Sequence, residues 1–190
     1  MTITNQHLKP LGESKYLKPA RLCFTRDGVQ KEWEIIQAHD SVAILLYHQD
    51  NHSFILVHQF RPAVSMRHPE GFTYELCAGL VDKQLDELTI AKEEIFEECG
   101  FDVPKTQIQR ITSFHTAVGF AGSKQTLFYA EIDESMRTHE GGGVEGEIID
   151  VVEMPIADAR TFMFDESKVK TPGLMFAFLW WFDRHPQNKP

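Results

Sequence analysis

The chain has 190 residues, of which 42% are hydrophobic and 25% charged, and its formal net charge is −9. That suits one globular domain with a small appendage, and the acidic balance argues against nucleic acid or anionic membrane as a partner. No apolar run approaches the ~20 residues of a membrane span, and the opening MTITNQHLKP lacks the charged start and apolar stretch of a secretory signal. Three cysteines without CxxC spacing (Cys23, Cys77, Cys99) favour neither a disulfide framework nor a zinc knuckle, so a reducing cytoplasm is expected.

In chain order, Arg21–Thr25 and Glu32–Ala38 flank Arg26-Asp27-Gly28, a hairpin signal. Val42–Tyr47 and Ser53–Phe60, rich in branched and aromatic residues, flank His48–His52 and read as a second hairpin, and Thr73–Cys77 reads as a short strand. Asp86–Cys99 reads as a helix, with Leu88, Ala91, Ile95 and Cys99 as an apolar stripe and Gly100 as its stop. Gln109–Phe114, Thr126–Ile132 and Ile148–Met154 read as strands and Pro155–Met163 as a short helix. Thr171-Pro172 supplies a cap and an N1 proline for a closing apolar helix, Gly173–His185, in which Leu174, Phe178 and Trp181 read as core. Hairpins and helices in this order predict an α/β (α+β) sandwich with helices on both faces of a mixed sheet.

Seven acids lie between Asp82 and Glu98, against only Lys83 and Lys92. Glu94, Glu97 and Glu98 fall at i, i+3 and i+4, on one helix face with Cβ atoms about 5–6 Å apart. The apolar stripe occupies the neighbouring face, so all three are expected to point away from the core. Their mutual repulsion is relieved either by water or by a hard divalent cation such as Mg²⁺, which takes carboxylate oxygens. Taken alone, such a run is more often a solvated face.

The surrounding stretch, GLVDKQLDELTIAKEEIFEECGF, resembles the Nudix box, Gx5Ex7REUxEExGU with U aliphatic or aromatic. Gly79, Glu94, Ile95, Glu97, Glu98, Gly100 and Phe101 fall on the pattern without a gap. Two positions depart: the first Glu falls on Leu85, with Asp86 and Glu87 close behind, and the Arg falls on Glu93, beside Lys92. By the resemblance the first acid is a support residue and the Arg orients a glutamate. Glu87 and Lys92 are the expected partial substitutes, although lysine lacks the two-pronged geometry of arginine. Beyond the box, WEIIQAHDSVAILLY, LVHQFRPAV, TYELCAGLVD, GFAGSKQTLFYAEI and GGGVEGEIIDVVEMP are similar, in order, to the UDP-glucose diphosphatase subfamily, over roughly residues 20–180.

The resemblance implies a Nudix-type α/β/α sandwich, with residues 1–38 as an antiparallel hairpin extension used for homodimerisation and residues 39–190 as the hydrolase domain. It implies hydrolysis of a nucleoside diphosphate sugar, UDP-glucose favoured, to a nucleoside monophosphate and a sugar 1-phosphate. Glu94, Glu97, Glu98 and the carbonyl of Ala78 would hold Mg²⁺, with Mn²⁺ as the alternative. Arg61 would grip a phosphate, Trp33 would stack the base, and Ser123, with Lys124, would contact substrate. Glu145 would be the general base, with Glu147 as second choice or an added ligand and Glu97 counted with the catalytic acids. Plainer roles stay open: an edge ion pair for Arg61, ordinary packing for Trp33, and solvated acids in a mobile glycine-rich loop for Glu145 and Glu147. Thr116-Ala117-Val118 lacks the proline of the ADP-ribose branch, which leaves ADP-ribose or another ADP-sugar as the alternative substrate. A nucleotide-sugar-binding module with little turnover is the rival of another class, motivated by Leu85 and Glu93. His48, His52, His58 and His68 show no metal-ligand spacing and read as surface or packing residues, and no GxSxG elbow is present.

Overall fold

The computed structural model describes residues 3–14, 17–144, 146 and 148–188. They form two compact units, one of residues up to His39 with His115–Ser123, the other of Asp40–Phe114 with residues from Lys124 onward.

In the first unit, β1 (Lys18–Arg26) and β2 (Val29–Gln37) pair antiparallel from Lys18 opposite Gln37 to Arg26 opposite Val29. Asp27 and Gly28 both take positive φ, 53° and 78°, which is the primed turn that matches strand twist. The register puts Ala20, Leu22 and Phe24 on one face with Trp33 and Ile35. Leu22, Phe24 and Trp33 are exposed there.

The second unit holds β3 (Ser41–His48), β4 (Ser53–Phe60), a single turn α1 (Pro62–Ser65), β5 (Phe72–Glu75), β6 (Cys77–Leu80) and α2 (Glu87–Glu94). Then follow β7 (Gln109–His115), β8 (Lys124–Ile132), β9 (Ile149–Pro155), α3 (Ile156–Phe164) and α4 (Pro172–Arg184). The strands form one sheet in the order β5-β4-β3-β8-β7, with β6 on β3 and β9 on β4. β3 and β8 run parallel while β4 pairs antiparallel with β5 and β9, so the sheet is mixed.

Period-2 alternation sends the side chains of β3 and β4 to two buried faces. Val42, Ile44, Leu46, Ile55 and Val57 pack with Ile90, Ala91, Ile95 and Cys99 of the acidic helix. Ala43, Leu45, Phe54 and Leu56 pack with Ala159, Phe162, Leu174, Phe178 and Trp181 of α3 and α4. The result is the expected α/β/α sandwich. Thr171 caps α4 by accepting from the N–H of Leu174. His48 is fully buried, edge-on to Phe101, a packing residue as expected.

Two elements differ from the sequence reading. The single strand expected over Thr73–Cys77 is two strands broken at Leu76. β3 and β4 pair with each other only at Leu46–His48 and Ser53–Ile55, so beyond that point they splay. The chain pairs first with β4 through β5 and then crosses to β3 as β6. The helix expected over Asp86–Cys99 starts at the Asp86 cap, whose carboxylate accepts from the N–H of Thr89. Its last turn, Ile95–Cys99, is π-helical and closes on Gly100 at a left-handed φ of 80°.

Candidate active site

Glu94 and Glu98 meet consecutive residues of β6. Glu98 is buried, and its Oε2 accepts from the backbone N–H of Ala78 at 2.9 Å. Glu94 lies against Gly79: a Cβ there would sit 2.0 Å from Glu94 Oε1 and 2.1 Å from Cδ. Glu94 and Glu98 are four residues apart and so are neighbours on the helix surface, and both carboxylates meet the same strand. The expectation that all three glutamates point away from the core is therefore corrected for Glu98. The reason is local: the part-buried N–H of Ala78 takes the Glu98 carboxylate as its acceptor. Glu97 is half-buried. Burial raises the thiol of Cys77 well above its usual range, with Cys99, Glu98 and Glu94 adding to the effect. That thiol is neutral beside the carboxylates.

Arg61, just before α1, meets Glu75 through two parallel bonds, Nε to Oε1 at 2.8 Å and Nη2 to Oε2 at 2.7 Å. The Thr73 hydroxyl also donates to Glu75 Oε1. Glu75 is buried while the Arg61 side chain is 46% exposed. This fork-to-fork pair fixes the plane of a guanidinium that reaches solvent. One short segment, Thr73–Gly79, thus touches Arg61, Glu98 and Glu94.

Glu145 and Glu147 lie outside the described residues. The loop leading to them is tied to the acidic helix. The N–H of Gly142 donates to the Glu98 carbonyl at 2.8 Å, and that of Gly143 to the Glu97 carbonyl at 3.1 Å. A Cβ on Gly141 would fall 2.3 Å from the Glu98 carbonyl oxygen, so glycine is what lets the two backbones meet. The expectation of a loop mobile along its length gives way, for Gly141–Gly143, to a backbone docked on the helix. In the other unit, the Trp33 indole N–H donates to the Gly119 carbonyl at 2.9 Å while the side chain stays exposed. The Ser123 carbonyl accepts from the N–H of Thr116.

No protein-family model matches the chain. Among curated proteins, it is 39% identical to the uridine diphosphate glucose pyrophosphatase NUDT14 of Bos taurus, across 89% of each chain. It is 36% identical to the protein of the same name from Mus musculus, across 90% of each. It is also 38% identical to the GDP-mannose pyrophosphatase of Cronobacter sakazakii, across 70% of each. The chain belongs to the Nudix hydrolases. As a Nudix hydrolase it is an enzyme acting on anhydride bonds, and its box departures can be read directly. Leu85 is exposed, and Glu87, the acid closest behind Asp86, pairs with Lys124 at 2.7 Å. That ammonium holds the Glu87 carboxyl below its usual range. Lys124 is therefore engaged by the helix. Lys92, beside the position of the Nudix arginine, pairs with Asp102 at 2.9 Å. The glutamate in the arginine's place, Glu93, bonds Lys83 at 2.9 Å.

Among the described residues no group of three His, Cys, Asp or Glu side chains stands ready-made around one metal position. The donors still suit a hard cation, because they are carboxylate oxygens. Glu94 also lies in a cradle that any side chain at position 79 would fill. Sequence reasoning missed Glu75, Lys83 and the docking of Gly142 and Gly143. For Glu75 a signal existed: an acid inside an apolar strand demands a cationic partner.

Proposed function

We propose that the protein hydrolyses the diphosphate of a nucleotide sugar, with UDP-glucose as the favoured substrate and Mg²⁺ as the cofactor. The observation that carries this reading is the seating of Glu94 and Glu98 on β6, on the same short segment that orients Arg61. The relatives named uridine diphosphate glucose pyrophosphatase, matched over about nine-tenths of their length, support the uridine sugar.

In this reading Glu94, Glu97 and Glu98, with the Ala78 carbonyl, would hold Mg²⁺, or Mn²⁺ in its place. When bound, the ion would supply positive charge that offsets the diphosphate oxygens and would make water more acidic. Arg61, pre-oriented by Glu75, adds fixed positive charge at the phosphate, where the transition state gathers negative charge. Glu145, or Glu147 as second choice, accepts the proton of the attacking water. Water oxygen bonds to phosphorus as the bridging P–O bond breaks, yielding UMP and glucose 1-phosphate. Trp33 offers an exposed indole, held by Gly119, for base stacking, and Ser123 contacts substrate. Residues 1–38 serve as a dimerisation element and residues 39–190 as the hydrolase domain. The exposed apolar face of Leu22, Phe24 and Trp33 supports pairing with a second copy, because a lone two-stranded ribbon is marginal in water. No helix among the described residues is long and apolar enough to cross a membrane. The free thiols of Cys23, Cys77 and Cys99 support a reducing, cytoplasmic setting, and the net charge of −9 argues against membrane or nucleic acid as a partner.

The test is release of UMP from UDP-glucose with and without Mg²⁺, in wild type and Glu98→Gln. Metal-dependent turnover that Glu98→Gln abolishes is expected. Metal-dependent binding without turnover across a nucleotide-sugar panel would instead establish a binding module. A kcat/KM comparison of UDP-glucose with ADP-ribose and GDP-mannose decides the substrate, and a preference for either rival would overturn the uridine assignment. Gel filtration of protein lacking residues 1–38 should show a monomer, and a persistent dimer would refute the role given to the hairpin.

A further inference from the structure

Lys83 lies on the loop between β6 and α2 and has no role in the reaction described above. Its Nζ stands 2.9 Å from Glu93 Oε2, with both side chains partly exposed. The Glu93 bond holds the lysine above its usual range, and the charges of Glu97 and Glu94 also act on it. Lys83 thus sits in the field of three carboxylates. Lys92, the other base of this segment, is taken up by Asp102.

Glu93 and Glu97 are at i and i+4, so they are neighbours on the helix surface and repel as like charges. Unrestrained, the Glu93 carboxylate would, through its i+4 neighbour Glu97, bring a fourth negative charge next to the Glu94, Glu97 and Glu98 group. We propose that Lys83 is a positioning residue for the metal-binding carboxylates: by pairing with Glu93 it keeps that acid out of the metal site. The proposal rests on the reading of Glu94, Glu97 and Glu98 as metal ligands. Exposed ion pairs contribute little to folding stability, so the consequence of this pair lies in metal placement rather than in the fold.

The experiment measures Mn²⁺ binding to metal-stripped protein from the electron paramagnetic resonance of free Mn²⁺, alongside kcat and KM with Mg²⁺. Lys83→Gln removes a positive charge and releases Glu93. Mn²⁺ should bind roughly three- to tenfold more tightly as the local field becomes more negative, while kcat falls and KM for the nucleotide sugar stays put. Affinity and turnover moving in opposite directions is a signature that a merely structural role would not produce. Lys83→Arg, and the exchange of Lys83→Glu with Glu93→Lys, restore a pair and should return both values toward wild type. Unchanged Mn²⁺ affinity in Lys83→Gln, or an exchange variant that behaves like Lys83→Gln, overturns the proposal. Glu98→Gln separates this from failure of the metal reading. If Glu98→Gln loses Mn²⁺ while Lys83→Gln matches wild type, only the positioning role falls. If Glu98→Gln binds Mn²⁺ as wild type does, the ligand assignment falls and the proposal with it.

Discussion

Replacing Gly79 by alanine tests the seating of Glu94 with a single methyl group. The added Cβ would lie 2.0 Å from Glu94 Oε1, 2.1 Å from Cδ and 2.4 Å from Cγ. Ordinary contact begins at 3.4 Å, so the carboxylate must retreat by about 1.4 Å, and displacements near 1 Å at a reacting centre cost on the order of 100-fold in rate. The expected loss in kcat is therefore about 100-fold, or about 2.7 kcal/mol of transition-state stabilisation. The fold should tolerate the change. The clash is with the end of a flexible side chain, and alanine in a strand gains up to ~1 kcal/mol over glycine. A melting temperature within ~4 °C of wild type follows for a chain of this size. Saturating Mg²⁺ and UDP-glucose give kcat from UMP release, and circular dichroism gives the melt. Shortening the acid by one methylene, about 1.5 Å of reach, in Gly79→Ala with Glu94→Asp should recover part of the lost rate. A Gly79→Ala protein that melts normally and keeps kcat within threefold of wild type, with unchanged metal dependence, would refute the seating of Glu94 as a functional contact.

Three further outcomes are expected. Arg61→Lys keeps the charge but loses the two-bond grip on Glu75, so KM should rise and kcat fall by roughly tenfold or more; steady-state kinetics beside Glu75→Gln, which should show a milder form of the same defect, checks this. Gly141→Ala forces a side chain into a residue at φ 74° and against the Glu98 carbonyl; a loss of roughly 1–3 kcal/mol in urea unfolding is expected, with a lower kcat because the docked loop lifts from the helix. Lys124→Met removes the partner that depresses the Glu87 carboxyl. A depressed acid contributes stability above its unfolded pKa of about 4.3 and loses it as pH falls through the lower folded value. The melting advantage of wild type over Lys124→Met should thus be present at pH 6 and vanish under strong acid, and an advantage that persisted there would count against the pair.

The sandwich was legible in the sequence because its signals are local. Alternation along Val42–Leu46 and Phe54–Val57 sends neighbours to opposite buried faces, and the stripe Ala91, Ile95, Cys99 seats the acidic helix on one of them. Asp86, Gly100, Thr171 and Pro172 mark helix ends through chemistry that acts within a few residues. The spacing of Glu94, Glu97 and Glu98 likewise put the three acids on one helix surface, where the Nudix resemblance implies metal binding. What only the tertiary structure decided was the partner of each charge. Lys92 looked like the substitute for an arginine, yet it took Asp102, while Lys83 took Glu93. Glu87 looked like a displaced support acid and bound Lys124, 37 residues away. Glu98 was expected in solvent and turned inward because β6 left it an N–H to accept from. The split of Thr73–Leu80 into two strands arose the same way, from two distant strands parting. Burial is written in periodicity, which each segment carries within itself. Ion pairs and side-chain-to-backbone bonds across 10 to 40 residues depend on which long side chains the packed backbone brings within 3 Å, and no short stretch of sequence holds that information.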